Sequence, residues 1–187
     1  MSPTLGTPSD KRTATRSATD AGYSQEPLSR ESRGHTVLIV GIDGQIGSAL
    51  ATDLRSRGVV VQGTSRKTKC LNETVSFLNL DDQPPELPYA KFSHVVICAG
   101  MTNIETCEHN QALCQEINVS GTIALIDRCL ESGCFVVYPS SNAVFDGTQA
   151  FNKHDDPPNP KSAYGRAKLA IETHLVREPD SVPGRGV

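Results

Sequence analysis

The β-branched apolar run Thr36-Val37-Leu38-Ile39-Val40 breaks into three glycines at even spacing, Gly41, Gly44 and Gly47. That junction restricts the fold more than any other feature of the chain. A short run of this kind bounded by glycine suits a parallel strand buried on both faces. Past the break, Ile46, Leu50 and Leu54 recur every four positions, the spacing of one helix face. A strand that turns over glycines into a helix start makes an anion site, because bare N–H groups and the positive end of the helix dipole face outward together. The spacing is G-x-x-G-x-x-G, which departs from the G-x-G-x-x-G dinucleotide fingerprint. On this pattern alone, a tight strand–helix turn without a ligand is the competing reading.

Further elements follow in alternation. A first helix is expected from Gln45 to Arg57, stopped by Gly58. Val59–Thr64 reads as a second strand leading into Ser65, Arg66 and Lys67, and Val75–Leu80 as a third. Pro84, Pro85 and Pro88 exclude regular structure after it. Val95–Gly100 is a fourth strand, His109–Glu131 a helical stretch split near Gly121, and Phe135–Tyr138 a fifth strand running into Pro139-Ser140-Ser141. The last helix is expected over Ser162–Val176. Such alternation predicts a doubly wound α/β fold of the Rossmann type, a parallel sheet of about five strands in order 3-2-1-4-5 with helices on both faces. Ligand groups in such sheets gather at the carboxyl ends of the strands. The glycine turn, Ser65–Lys67, Asn79, Ala99–Gly100 and Ser140–Ser141 all fall there.

With 187 residues and a net charge of −3, the chain allows one domain and gives no sign of nucleic acid or an anionic membrane as a main partner. Residues 1–34 carry hardly a large apolar side chain and are expected to form a disordered tail, leaving 35–187 as the folded domain. No apolar run reaches the roughly 20 residues of a membrane span, and the start lacks the apolar core of a secretory signal. The six cysteines show no C-x-x-C pair, so reduced thiols and a cytoplasmic setting are expected. His35, His94, His109, His154 and His174 show no ligand spacing, and no metal site is expected. Glu105 and Glu108 are read as capping or solvating the start of the long helix.

Two stretches carry chemistry. In a site that prefers NAD, an acidic residue at the end of the second strand binds the ribose 2′-hydroxyl. Here Thr64-Ser65-Arg66-Lys67 supplies no acid. A guanidinium and a hydroxyl suit a 2′-phosphate, so NADP(H) is preferred over NAD(H), against the alternative that Arg66 and Lys67 are solvated loop charges. Farther on, Tyr164-Gly165-Arg166-Ala167-Lys168 sets a phenol and an ammonium four residues apart on one helix face. A phenol with a pKa of about 10 is a poor acid–base at neutral pH, and a neighbouring cation lowers that value. Proton transfer to or from a carbonyl or alcohol oxygen then becomes feasible, with Ser141 able to hold the same oxygen.

These stretches, together with Ala99-Gly100-Met101-Thr102-Asn103, Asn118-Val119-Ser120-Gly121-Thr122, Ser140–Gly147 and Pro157–Pro160, cover about Thr36 to Arg177. In that order and spacing the chain resembles the extended short-chain dehydrogenase/reductase family, most closely its sugar-nucleotide reductases of the dTDP-4-dehydrorhamnose reductase type and their epimerase relatives. The resemblance implies that Tyr164 is the general acid toward a keto-sugar oxygen as hydride arrives from the nicotinamide. Lys168 would bind the nicotinamide ribose and depress the Tyr164 pKa, and Ser141 would orient the substrate oxygen. It implies a cofactor site built from Gly41, Asp43, Gly44, Gln45, Ile46, Gly47, Ser65, Arg66, Ala99, Gly100, Met101, Asn118, Tyr164 and Lys168. Asn79 and Leu80 would meet the adenine, with Asn79 standing where the family commonly has Asp. Asn142-Ala143 replaces the Asp-Tyr often found in the reductase subgroup.

A member of this family would continue past the last helix into another strand and a smaller substrate-gripping domain, and neither is read in Glu178–Val187. The outer edge of the fifth strand is therefore expected to be exposed. Two functions remain open at this point. One is an enzyme that reduces, epimerises or dehydrates a nucleotide-sugar, with a homo-oligomer allowed. The other is a binding or regulatory module that keeps the nucleotide site alone.

Overall fold

The computed structural model describes residues 36–82, 86–177 and 185–186. The expected tail over 1–34 lies outside the described residues, as do Pro84 and Pro85. The strands β1 (Thr36–Val40), β2 (Val60–Ser65), β3 (Val75–Phe77), β4 (His94–Ile97), β5 (Phe135–Val137) and β6 (Arg185–Gly186) form one sheet in the order β3-β2-β1-β4-β5-β6. Every pairing is parallel, with Val40 opposite Thr64 on one side and Ile97 on the other. The order 3-2-1-4-5 is thus as the sequence predicts. The strand β6 corrects the expectation that none follows the last helix. Its two residues pair with Val136 and Val137, so part of the β5 edge is covered.

Alternating β1 side chains feed two cores, as burial on both faces of a parallel strand requires. Val37 and Ile39 pack with Ile42, Ala51, Val61 and Val75 beneath helix α1 (Gln45–Ser56). Leu38 and Val40 join Val95, Ile97, Leu125, Ile126 and Ile171 on the opposite face. Ile46 departs from the expected apolar stripe of α1, being 61% exposed. It occupies the first turn of the helix, one residue after Gln45.

Between β4 and β5 the chain forms α2 (Ile104–His109), α3 (Gln111–Gln115), a π turn over Glu116–Gly121 and α4 (Thr122–Glu131). The sequence pattern marks the split near Gly121 and misses α2. Asn103 starts α2, its side chain accepting from Thr106 N at 2.7 Å, a polar N-cap that hydrophobic spacing does not register. Helix α5 (Ala163–Arg177) packs against α2, α3 and the π turn. His174 and His94, which show no ligand spacing in the sequence, have structural partners, although His94 is exposed. His174 Nε2 lies 2.7 Å from Asp127 Oδ1 and ties α5 to α4, while the His94 ring tilts against Phe135. None of the six cysteines is in a disulfide. Among the described residues no helix is long and apolar enough to cross a membrane.

Candidate active site

The glycine turn is held to the sheet by the neighbouring strand. Gly41 N and Ile42 N both donate to the Thr64 carbonyl at 3.0 Å, which lifts the chain over the end of β1. Gly41 has φ +81, and a Cβ there would lie 2.9 Å from Ala99 N. A Cβ on Gly47 would stand 2.3 Å from the Gly41 carbonyl oxygen. Only hydrogen fits at these two positions, so the turn closes tightly onto the start of α1. Gly44 caps α1 with no side-chain acceptor, and it is exposed together with Gln45 and Ile46. The first N–H groups of a helix lack intrahelical partners, so this rim can receive an anion.

A cleft opens beside the rim. It is lined by Ile46, by Ile97 to Thr102 at the end of β4, by Asn118, by Tyr138 to Ser140 at the end of β5, and by Tyr164 and Lys168 of α5. The glycine turn and the phenol–ammonium pair, more than 100 residues apart in sequence, therefore face one opening.

Asn118 shapes its floor. Its Oδ1 accepts from Met101 N at 2.7 Å and its Nδ2 donates to Met101 O at 2.8 Å. One buried side chain thus satisfies both polar backbone groups of Met101, next to Gly100, where a Cβ would meet Asn118 Oδ1 at 2.9 Å. The π turn that carries Asn118 is a distortion that recurs at functional sites.

Lys168 Nζ donates to Pro139 O at 2.8 Å and sits 4.1 Å from the Tyr138 ring centroid and 5.7 Å from that of Tyr164. Burial pushes its pKa down to about 8, against the opposing pull of Cys98 and Glu172. Burial raises the Tyr164 phenol above its ordinary value; the nearby Ser141 hydroxyl lowers it and Cys107 adds to the rise. The expectation that Lys168 depresses the Tyr164 pKa is therefore corrected. In this arrangement the ammonium is directed to Pro139 O, and Ser141 is the group that favours the phenolate. Ser141 Oγ also accepts from Ala143 N at 3.2 Å, which fixes its direction. Neighbouring Ser140 donates to Glu172 Oε1.

Helix α5 is positioned from its start. Glu108 of α2 accepts from Ala163 N, and Ser162 Oγ accepts from Gly165 N at 3.0 Å. The reading of Glu108 as a residue of its own helix start is corrected, since its carboxylate caps the helix that bears Tyr164. Such a contact spans 55 residues and leaves no local signature.

Of the residues predicted for the site, the cleft brings together Ile46, Ala99, Gly100, Met101, Asn118, Tyr164 and Lys168. Gly41, Asp43, Gly44, Gln45 and Gly47 form the turn at its edge. Ser65, Arg66, Asn79 and Leu80 lie outside this lining, along the ends of β2 and β3, with Leu80 buried and Arg66 exposed; Ser141 is also outside it, one residue past the lining Ser140 and beside Tyr164. Tyr138, Cys98 and Thr102 are lining residues that the sequence reading omits. Their place at strand ends was a signal for them.

The family model described as the RmlD substrate binding domain matches residues 35–182. The chain belongs to that family, within the extended short-chain dehydrogenases/reductases. A curated relative, methionine adenosyltransferase 2 subunit beta of Bos taurus, is 29% identical over 142 residues, which is 75% of this chain and 42% of the relative. Among solved structures, a hypothetical dTDP-4-dehydrorhamnose reductase from Sulfolobus tokodaii superposes with a TM-score of 0.65 at 26% identity, covering 75% of this chain and 51% of that one. The UDP-glucose 4-epimerase of Thermus thermophilus, in complex with NAD, gives 0.67 at 25% identity, with 80% and 52% covered. This RmlD-family chain spans about half the length, or less, of the curated relatives it matches.

The residues present fit a dinucleotide. The glycine cradle excludes any Cβ at Gly41 and Gly47, the uncapped helix start is exposed, and the Tyr164 phenol, the Lys168 ammonium and the Ser140 hydroxyl line the cleft beside it.

Proposed function

We propose that this chain is the nucleotide-binding part of an NAD(P)-dependent oxidoreductase that reduces a keto group on a sugar nucleotide. The observation that carries the reading is the shared cleft, which Ile46 of the glycine turn lines together with Tyr164 and Lys168. The turn residues Gly41 to Gly47 would hold the pyrophosphate, and Met101, Lys168 and Tyr164 the nicotinamide end. The dinucleotide, when bound, supplies the hydride that the carbonyl carbon takes up. Tyr164 gives its proton to the carbonyl oxygen, which Ser141 holds, and the Ser141 hydroxyl also favours the phenolate left behind. Exposed Arg66 beside Ser65 supports a preference for NADP(H) over NAD(H). The substrate class, a nucleotide-sugar, rests on the likeness to reductases and epimerases in the family. Epimerisation would use the same groups through a transient keto intermediate.

A second reading, a dinucleotide-binding subunit without turnover, is favoured by similarity to a protein named as the beta subunit of a methionine adenosyltransferase. Turnover of a keto-sugar nucleotide with NADPH, abolished in Tyr164→Phe while NADPH still binds, supports the enzyme. NADPH binding with no turnover of keto-sugar nucleotides by the wild type supports the binding subunit.

A further inference from the structure

Resting on the dinucleotide reading, we propose that the ion pair between Asp43 and Lys67 sets how strongly this site discriminates NADPH from NADH. In folds of this type the end of β2 meets the adenosine ribose at its 2′ position. Here the strand itself brings Ser65, then Arg66 and Lys67, and no acid. The carboxylate arrives from elsewhere. Asp43 stands in the glycine turn, which the two hydrogen bonds onto Thr64 O hold against the last residues of β2. Its Oδ2 lies 2.8 Å from Lys67 Nζ. The backbone of Lys67 is tied to the strand end, its N–H donating to Ser65 Oγ at 3.0 Å.

The Asp43 carboxyl is held below its ordinary range, first by Lys67 and also by Ser65, against the opposing effect of burial. Its side chain is 20% exposed and that of Lys67 is 53% exposed. A pair this open to water contributes little to stability. Its effect on a ligand is larger, because it decides which charges face the 2′ position. With the pair closed, Asp43 cancels one of the two cations and Arg66 alone attracts a 2′-phosphate. With Lys67 removed, an unpaired carboxylate accepts from a 2′-hydroxyl and repels a phosphate. With Asp43 neutralised, two cations face the phosphate. The two halves of one ion pair therefore act in opposite directions on selectivity.

The test is titration of the wild-type chain, Asp43→Asn and Lys67→Ala with NADPH and with NADH, reading the ratio of the two dissociation constants. Asp43→Asn is expected to move the ratio about tenfold toward NADPH, and Lys67→Ala about tenfold toward NADH. Melting temperatures close to wild type would place the change in the site. Movement of both variants in the same direction, or by less than about twofold while both dinucleotides bind, overturns the proposal alone. A wild-type chain that binds neither dinucleotide overturns the functional reading and this inference with it.

Discussion

Asn118 and Met101, 17 residues apart, are joined by a closed pair of hydrogen bonds, the side-chain amide donating to the Met101 carbonyl at 2.8 Å and accepting from its N–H at 2.7 Å. The loop at the end of β4 has no regular structure of its own, so this clamp gives one wall of the cleft its shape. Removing it strands the polar backbone groups of Met101, which costs about 2 kcal/mol. Asn118→Ala is therefore expected to lower the thermal midpoint by roughly 4–8 °C and to weaken NADPH binding. Differential scanning fluorimetry with and without NADPH measures both.

Glu108 is a positioning residue that acts through α5. It accepts from Ala163 N, one residue before Tyr164, and lies 4.0 Å from Arg166. Loss of a helix cap typically costs about 1 kcal/mol. Glu108→Ala is expected to destabilise the chain by that amount and to cut turnover more than it raises KM, because the phenol loses its direction. Glu108→Gln keeps an acceptor and should restore most of the turnover.

Gly121 marks where the helical stretch comes closest to the end of the third strand. A Cβ there would stand 1.6 Å from the Leu80 carbonyl oxygen, a backbone atom that cannot rotate aside. Gly121→Ala must push the π turn away from the sheet, and overpacking of this kind costs about 1–3 kcal/mol or more. The displaced turn carries Asn118, so loss of NADPH affinity should accompany the loss of stability. Chemical denaturation and NADPH titration of the variant test the coupling.

Lys168 gives the site a pH dependence with a definite sign. Its folded pKa is pushed down to about 8, below its ordinary value. Below that pH the ammonium is present and holds the nicotinamide end as a charged donor; above it the amine is neutral and holds it less strongly. Turnover is expected to decline as pH rises through about 8. Stability should change the opposite way, because the burial penalty on the charged form is fully present below the folded pKa and is relieved above it. Lys168→Arg keeps its charge throughout, so the alkaline decline set by this residue should vanish from its pH–rate profile.

The frame was legible in the sequence because it is written locally. Val37 to Val40, Val95 to Ile97 and the glycine break each announce a buried strand or its end, and alternation fixes the strand order. Tyr164 and Lys168 share a helix face by spacing alone. What escaped the sequence depends on contacts across the fold. The Glu108 cap, the Asp43–Lys67 pair and the His174–Asp127 link each join residues on different elements. The Tyr164 pKa failed for a related reason. Spacing put Lys168 near the phenol, but its ammonium is directed to Pro139 O, and burial dominates.

The central claim is that the glycine turn receives the phosphates of a dinucleotide, and Gly44→Asp tests it most directly. Gly44 is exposed, with φ −76 and ψ 168, extended backbone that aspartate adopts readily. As an N-cap, aspartate should hold or raise the stability of α1, so the variant separates folding from binding. The measurement is NADPH titration of wild type and Gly44→Asp, followed by nicotinamide fluorescence, with melting temperatures recorded beside it. Saturable binding by the wild type, weakened at least about tenfold by the added carboxylate at an unchanged or higher melting temperature, is the predicted result. Equal affinity in the two proteins, or no saturable binding by a folded wild-type chain, would contradict the account.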